Sequence, residues 1–417
     1  MRRTRTGLAL LTLLAVFGLL TFCAQSGMAG SPLALEVPAP APSPTPAAYT
    51  VATLVPDGEL RQPAGIAVDK AGNLYIADTG NRVIRKWDSS HKLTVFAGVP
   101  GRRDKYEHFD KAAAEAAGQP IPDCTSTTGD YCLATAALFS GPRSIVVDSK
   151  GNVYISDGSA SKIRKVHAAT GRVTVYAGKD GGGWNDTSIH NPEGIALDAR
   201  GNLYIADKGN NAIRKVSPPS RPLGRGTITT VAGLGPKGPA CSADGVAADA
   251  AALNEPQDVA VDPAGNIFIA DTGCHKIRQI GLDGKLTTVV GGDAAPSATS
   301  STSGDWVKAS EVRLDKPTGV EIDGAGNLYI TDAARRVVWL YDPGTKKARI
   351  IGGLTTGSKL CSQRTNDFGD GCPGTQARLN TPDRVAVDAQ GNVYVPERGG
   401  AGAPRPPFAI RVLHPPH

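Results

Sequence analysis

The chain of 417 residues reads as an all-β protein, a six-bladed β-propeller of four-stranded blades. Three observations predict this. One pattern recurs six times, each copy holds up to four short strand-like runs, and a strand missing at the C-terminal end is matched by a surplus strand at the N-terminal end. Repeats of this length indicate a closed or stacked array of small supersecondary units, and four antiparallel strands per unit indicate propeller blades. Composition agrees, with 50 Gly and 31 Pro to feed many turns and 40% hydrophobic residues to fill a core.

The repeat opens at Pro63, Pro142, Pro192, Pro256, Pro317 and Pro382. An acid follows at Asp69, Asp148, Asp198, Asp262, Asp323 and Asp388, then Gly-Asn at Gly72-Asn73 and its equivalents. A second acid stands at Asp78, Asp157, Asp207, Asp271, Asp332 and Glu397. In the third unit, Ile195-Ala196-Leu197 is a short apolar run closed by Asp198, and Gly201-Asn202 supplies residues that tolerate positive φ in a tight turn. Leu203 to Ala206 is apolar on both faces and reads as a strand buried from both sides. Ala212 to Val216 places charges between apolar positions, which predicts a third strand further out and partly in water. Thr227 to Gly233 is the fourth, with counterparts at Leu93 to Gly98, Val173 to Gly178, Leu286 to Gly291 and Ala348 to Gly352. The last unit stops after a third strand, Phe408 to Leu413, while Tyr49 to Ala52 precedes the first unit and matches Thr229 to Ala232. The N-terminal strand is therefore expected to complete blade six and close the ring.

The stretch from Pro63 to Lys86 resembles the NHL repeat family of six-bladed propellers, and the likeness recurs over residues 49–413. The resemblance implies the fold; it does not select one function, because this ring hosts binding modules and several enzymes. The repeat cores are 63–98, 142–178, 192–233, 256–292, 317–353 and 382–413, with a closing strand at 49–55 and a tail at 414–417.

Residues 1–30 open with Arg2, Arg3 and Arg5 followed by an apolar run from Leu8 to Leu20, the form of a secretory signal. Leu20-Thr21-Phe22-Cys23 resembles a bacterial lipoprotein box, with Phe22 where that box carries a small residue; Cys23 is then a lipidation candidate. Cleavage after Ser26 or Ala29 is the alternative. Residues 31–48 are proline-rich without hydrophobic periodicity, a stiff disordered tether. Together with the resemblance, these segments imply an exported bacterial protein of the periplasm, envelope or extracellular space. Membrane attachment is expected only through a lipid anchor, and the chain is expected to be a monomer.

Seven cysteines are present, and six remain once Cys23 is set aside, an even number suited to an oxidising compartment. Inter-blade loops and the loops after second strands emerge on one face, which pairs Cys124–Cys132, Cys241–Cys274 and Cys361–Cys372. No Cys-x-x-Cys spacing supports zinc ligation instead.

Blades differ mainly in the loops that lead to the next blade: Val99 to Gly141, Leu234 to Asn254, Gly292 to Leu314 and Leu354 to Asn380. The first of these carries a charged segment over Gly101 to Asp110 and an Ala-rich patch over Lys111 to Ala117. Long loops on a rigid frame are where binding usually resides. Acids used in every blade read as turn and loop supports, so function is sought where blades disagree. The residues after each Pro do disagree: Ala64-Gly65, Arg143-Ser144, Glu193-Gly194, Gln257-Asp258, Thr318-Gly319 and Asp383-Arg384. They are expected beside the central channel on the long-loop face. Arg143, Glu193, Gln257, Asp258, Thr318, Asp383 and Arg384 are the candidate ligand-binding residues, with Glu193, Asp258 and Asp383 as candidate oxygen ligands for calcium or zinc.

The expected function is a binding module for a protein, a glycan or a small polar ligand; the alternative is a metal-dependent hydrolase or lactonase at the channel mouth. The family includes a peptide-amidating lyase with channel histidines on its metal, but here only His190 stands near an innermost strand. Six-bladed lactonases of related shape use a Glu, an Asn and an Asp; Glu193 can match the first, and no motif places the other two. Nucleic acid is excluded as a partner: the Ile-Arg-Lys triplets spread around the ring without interleaved aromatics, despite a net charge of +6.

Overall fold

The computed structural model describes residues 48–416 apart from 56–57, 101–131, 179–187, 221–223, 237–240, 293–303, 355–358, 363, 365, 367–368 and 400–407. The signal segment, the tether up to residue 47, Cys23, the segments at 101–117 and Cys124 lie outside the described residues.

Six antiparallel sheets form the blades, each ordered from an inner to an outer strand. Blade three shows the unit: Pro192–Leu197, Leu203–Asp207, Ala212–Ser217 and Thr227–Ala232. The ring closes as expected. Thr50–Val55 pairs antiparallel with Ala409–His414, followed inward by Val393–Glu397 and a short inner strand, Ala386–Val387. Blade five gains a strand not foreseen from sequence, Val307–Lys308, in which the incoming loop adds to the outer edge of Lys347–Gly352.

The first acid of each unit holds the hairpin turn. Asp198 accepts hydrogen bonds from the Arg200 amide at 2.9 Å, the Asn202 amide at 2.8 Å and the Asn202 side chain at 2.7 Å. Gly201 sits at φ +79°, where a side chain would be strained. Lys215 lies 5.8 Å over the Tyr204 ring, beside the same turn.

The second acid does deeper structural work. Asp207 is fully buried and accepts the His190 amide at 2.7 Å, the Asn210 side chain at 2.8 Å and Arg214 Nε at 2.9 Å. It therefore joins the loop entering the blade, the loop after strand two and the third strand. Asp78 repeats this with the Arg61 amide and Arg85, and Glu397 accepts the Asn380 amide. Burial raises the Asp207 pKa against the opposing pull of these bonds.

One expectation is corrected here. The charged residues of the third strands are expected further out, partly in water, yet Arg214 of Ile213-Arg214-Lys215 and Arg278 of Ile277-Arg278-Gln279 are fully buried. The reason is the carboxylate one strand inward, Asp207 at 2.9 Å and Asp271 at 3.9 Å, which gives each guanidinium a buried partner; Lys215 and Lys276 stay half-buried.

A second repeat packs the blades together. Leu60, Phe139, Ile189, Leu253, Leu314 and Leu379 each stand three residues before the opening Pro, and all are buried. In four units, a 3-10 turn precedes this residue: Ala134–Ala136, Ala248–Ala250, Ala309–Glu311 and Gly374–Gln376. Ala248, Ala251 and Leu253 share one cluster with Tyr204 of blade three and Ile269 of blade four, so the element is an inter-blade wedge. Gln62, Asn191, Glu255 and Thr381 take positive φ just before the Pro, turning the wedge into the inner strand.

Disulfides Cys241–Cys274 and Cys361–Cys372 form as expected. Cys132 is also disulfide-bonded. Replacement of Asp207 by Ala is expected to cost about 3–5 kcal/mol, because Arg214 is left buried and uncompensated. Asp198→Ala, at a solvated turn, is expected to cost about 1–2 kcal/mol. Urea unfolding of the two variants checks the order; equal losses would show that the buried pair is not a keystone.

Candidate functional site at the channel mouth

The candidate residues stand on irregularities of the inner strands. Register shifts fall between Pro142 and Ser144, Pro192 and Ile195, Pro256 and Asp258, and Pro317 and Gly319. A bulge re-aims the side chain it carries, and here it carries Arg143, Glu193, Gln257 and Thr318.

The structure brings most of the predicted residues together around Arg384. Its Nη2 donates to Glu193 Oε2 at 2.9 Å and to the Gln257 carbonyl at 2.8 Å, and its Nη1 donates to the Arg143 carbonyl at 3.2 Å. Nε lies 3.5 Å from Asp258 Oδ1, and Nη1 lies 3.6 Å from Asp383 Oδ1. One guanidinium from blade six thus binds blades two, three and four. Arg143 Nε is 3.9 Å from Glu193 Oε1, and Arg398 Nη1 is 3.0 Å from Asp383 Oδ2. Three carboxylates are met by three guanidinium groups. Thr318 donates to the Asp383 carbonyl at 3.0 Å and braces the backbone of the hub.

Glu193, Gln257, Asp258, Thr318, Asp383 and Arg384 are all buried, so the mouth is a packed hub, where sequence alone allowed an open rim. Close packing also explains Gly194: a Cβ there would meet Asp258 Oδ1 at 1.8 Å. Burial raises the Glu193 carboxyl, but Arg384 and Arg143 outweigh it and hold the pKa below the ordinary value. For Asp258, burial wins over Arg384 and pushes the pKa up to about 7.

The place expected for a divalent cation between Glu193, Asp258 and Asp383 holds the Arg384 guanidinium. The arrangement does not fit a cation, because a fixed positive charge already serves these oxygens. Among the described residues, no group of three or more His, Cys, Asp or Glu is placed to hold a metal ion. His190 and His275 are not part of the hub; His275 Nδ1 meets the Asp315 carbonyl at a blade junction.

Sequence reasoning passed over Glu321. It stands four residues after its Pro, where the other units carry Ala67, Val146, Ala196, Ala260 and Ala386. It is half-buried on the inner strand of blade five. Burial and the neighbouring Asp258 charge push its pKa up to about 8. Alignment of the six units would have revealed it as an acid in an alanine column.

Two NHL repeat matches fall at residues 60–86 and 190–216, and the Teneurin NHL domain profile matches residues 229–355. The chain carries NHL repeats. NHL repeat-containing protein 2 of Bos taurus is 24% identical over 362 residues, 78% of this chain and 45% of that protein. The chain spans less than half the length of the curated relatives it matches, and 5% or less of the teneurins. Among solved structures, an auxiliary nutrient binding protein from Bacteroides thetaiotaomicron aligns at TM-score 0.53 and 11% identity, covering 89% of this chain and 77% of that one. The gluconolactonase XC5397 from Xanthomonas campestris aligns at TM-score 0.51 and 13% identity, covering 88% and 90%. At such identities the likeness shows the fold alone. This NHL propeller shares its ring with binders and enzymes alike.

Two outcomes are expected. Replacing Arg384 with Lys should destabilise the propeller by about 3 kcal/mol or more, since one ammonium cannot reproduce the fork that serves three blades; calorimetry checks this, and a neutral result would remove the hub's structural role. Glu321 holds a proton in the folded protein over the range from its ordinary 4.5 to about 8 and loses it on unfolding there. Folding then takes up a proton, so stability falls as pH rises through that window. Glu321→Gln should flatten part of the fall. Unfolding midpoints from about pH 5 to pH 9 for both proteins measure it, and identical slopes would refute the assignment.

Proposed function

We propose that this NHL propeller is an exported binding module that recognises a polar ligand, a glycan or a protein on its long-loop face. The observation that supports this reading most directly is the hub: the channel mouth is filled by Arg384 and its carboxylates, so recognition falls to the rim and loops around it. The rim is where blades differ in sequence, while the frame beneath is held by the repeated buried acids. Two disulfides anchor loops on that face, Cys241–Cys274 and Cys361–Cys372, in keeping with an oxidising compartment. No helix among the described residues is long and apolar enough to cross a membrane. Attachment through Cys23, if cleavage leaves it in place, would hold the ring at a membrane surface.

The hydrolase alternative needs a metal centre at the same mouth. Glu193, Asp258 and Asp383 are its candidate ligands, and each is within ion-pair reach of Arg384 instead. The test is a thermal-shift screen of sugars, sugar acids, amino acids and nucleotides, run beside lactone hydrolysis assays with calcium or zinc. Stabilisation by a ligand without turnover is expected. Metal-stimulated hydrolysis abolished by Glu193→Gln would overturn the binding reading in favour of an enzyme.

A further inference from the structure

A cavity of about 460 Å³ opens between blades one and two, lined by Arg61, Arg82 and Arg143 with Thr79, Ser140 and Ser159. Among the described residues, no acid lines it. It exists because of what blade two brings to the junction. The two residues before the opening Pro are Ser140-Gly141 there, against His190-Asn191, Asn254-Glu255, Asp315-Lys316 and Asn380-Thr381 elsewhere. At two other junctions the corresponding positions are bridged across the blades. The Glu255 amide donates to Asn211 Oδ1 at 2.9 Å, Lys208 pairs with Glu255 at 3.4 Å, and the Asn191 amide donates to Ser161 Oγ.

Among the described residues, Asp78, Asp157 and Glu193 stand nearby and are engaged elsewhere. Asp78 accepts the Arg61 amide, the Asn81 side chain and Arg85 Nε, and Asp157 accepts the Ser140 and Gly141 amides. Glu193 is taken by Arg384 at 2.9 Å and stands 3.9 Å from Arg143 Nε, a buried nitrogen with no hydrogen-bond acceptor. The Arg61 guanidinium makes no ion pair among the described residues. Three planar cations around one polar cavity, with the Ser140 and Ser159 hydroxyls between them, are suited to an oxyanion, since guanidinium forks match carboxylate and phosphate geometry. The Thr79 hydroxyl is committed to the Pro142 carbonyl at 2.6 Å. A space of this size accepts a whole small molecule beyond the anionic group itself.

We propose that this junction is the ligand site of the binding face and takes a small polar molecule bearing a carboxylate or phosphate group. The inference rests on the binding-module reading and narrows it to one ligand class. Arg61 and Arg82 supply the anion contacts from blade one. Arg143 links the site to the hub through Glu193, so a ligand drawing on Arg143 also acts on the buried network.

Isothermal titration of the intact mature protein with galacturonic acid, glucose 6-phosphate and neutral galactose tests it at low salt. Galacturonic acid, glucose 6-phosphate or both are expected to bind at least tenfold tighter than galactose, and which one does so distinguishes carboxylate from phosphate. Arg61→Ala combined with Arg82→Ala should weaken the acid at least tenfold. Arg172→Ala, an exposed arginine elsewhere on blade two, should leave it unchanged. Equal binding of acid and neutral sugar, or equal loss in the Arg172→Ala control, would overturn the site while leaving a binding module intact. Binding of none of these would also overturn it, and a ligand screen that finds no partner of any kind would remove the binding reading as well. Circular dichroism of the double variant confirms that lost binding is not lost folding.

Discussion

A buried carboxylate at the end of each second strand is the interaction on which the ring depends. In the third unit Asp207 sits at the meeting point of the loop that enters the blade, the 3-10 turn that leaves strand two and the guanidinium of Arg214 on strand three. Taking such a group out of water is costly unless its oxygens are fully served. Here an amide, a side-chain amide and a guanidinium serve them. Because the accepted amide belongs to the incoming loop, the same bond orients the inner strand that follows.

This arrangement frees the residues at the start of the inner strand from carrying the fold. In blades one to five they lie at bulges, and residues of blades two to six meet in one hub. Arg384 gathers them. Its contacts reach 191 residues back to Glu193 and 241 back to the Arg143 carbonyl, so one side chain ties blade six to three others. Charge balance makes this tolerable: Glu193, Asp258 and Asp383 are matched by Arg384, Arg143 and Arg398. Glu321 adds a further carboxyl beside Asp258, and burial with the Asp258 charge raises its pKa.

Departures from the repeat have a shared logic. Between blades three and four the junction is bridged by the Glu255 amide on Asn211 and by the Lys208–Glu255 ion pair. Where blade two substitutes Ser140-Gly141, the junction stays open and arginines line it. The wedge residues, from Leu60 to Leu379, are buried in all six units, so each junction keeps its apolar packing where a loop residue is small.

Much of the architecture was legible in the chain itself. Six copies of one pattern set the blade count, paired turn and strand signals set the hairpins, and the mismatch of strands at the two ends set the closure of Thr50–Val55 on Ala409–His414. These are local or periodic features, carried by residues close in sequence. The Cys241–Cys274 and Cys361–Cys372 pairings followed, because topology puts their loops on one face. What only the tertiary structure decided depends on charges from distant units meeting in one place. Alternating polarity placed Arg214 toward water, and the buried Asp207 drew it inward. Glu193, Asp258 and Asp383 looked like cation ligands one by one, and Arg384 claimed them together. Spacing along a chain reports which residues share a strand, but the partner that neutralises a buried charge is chosen by the fold.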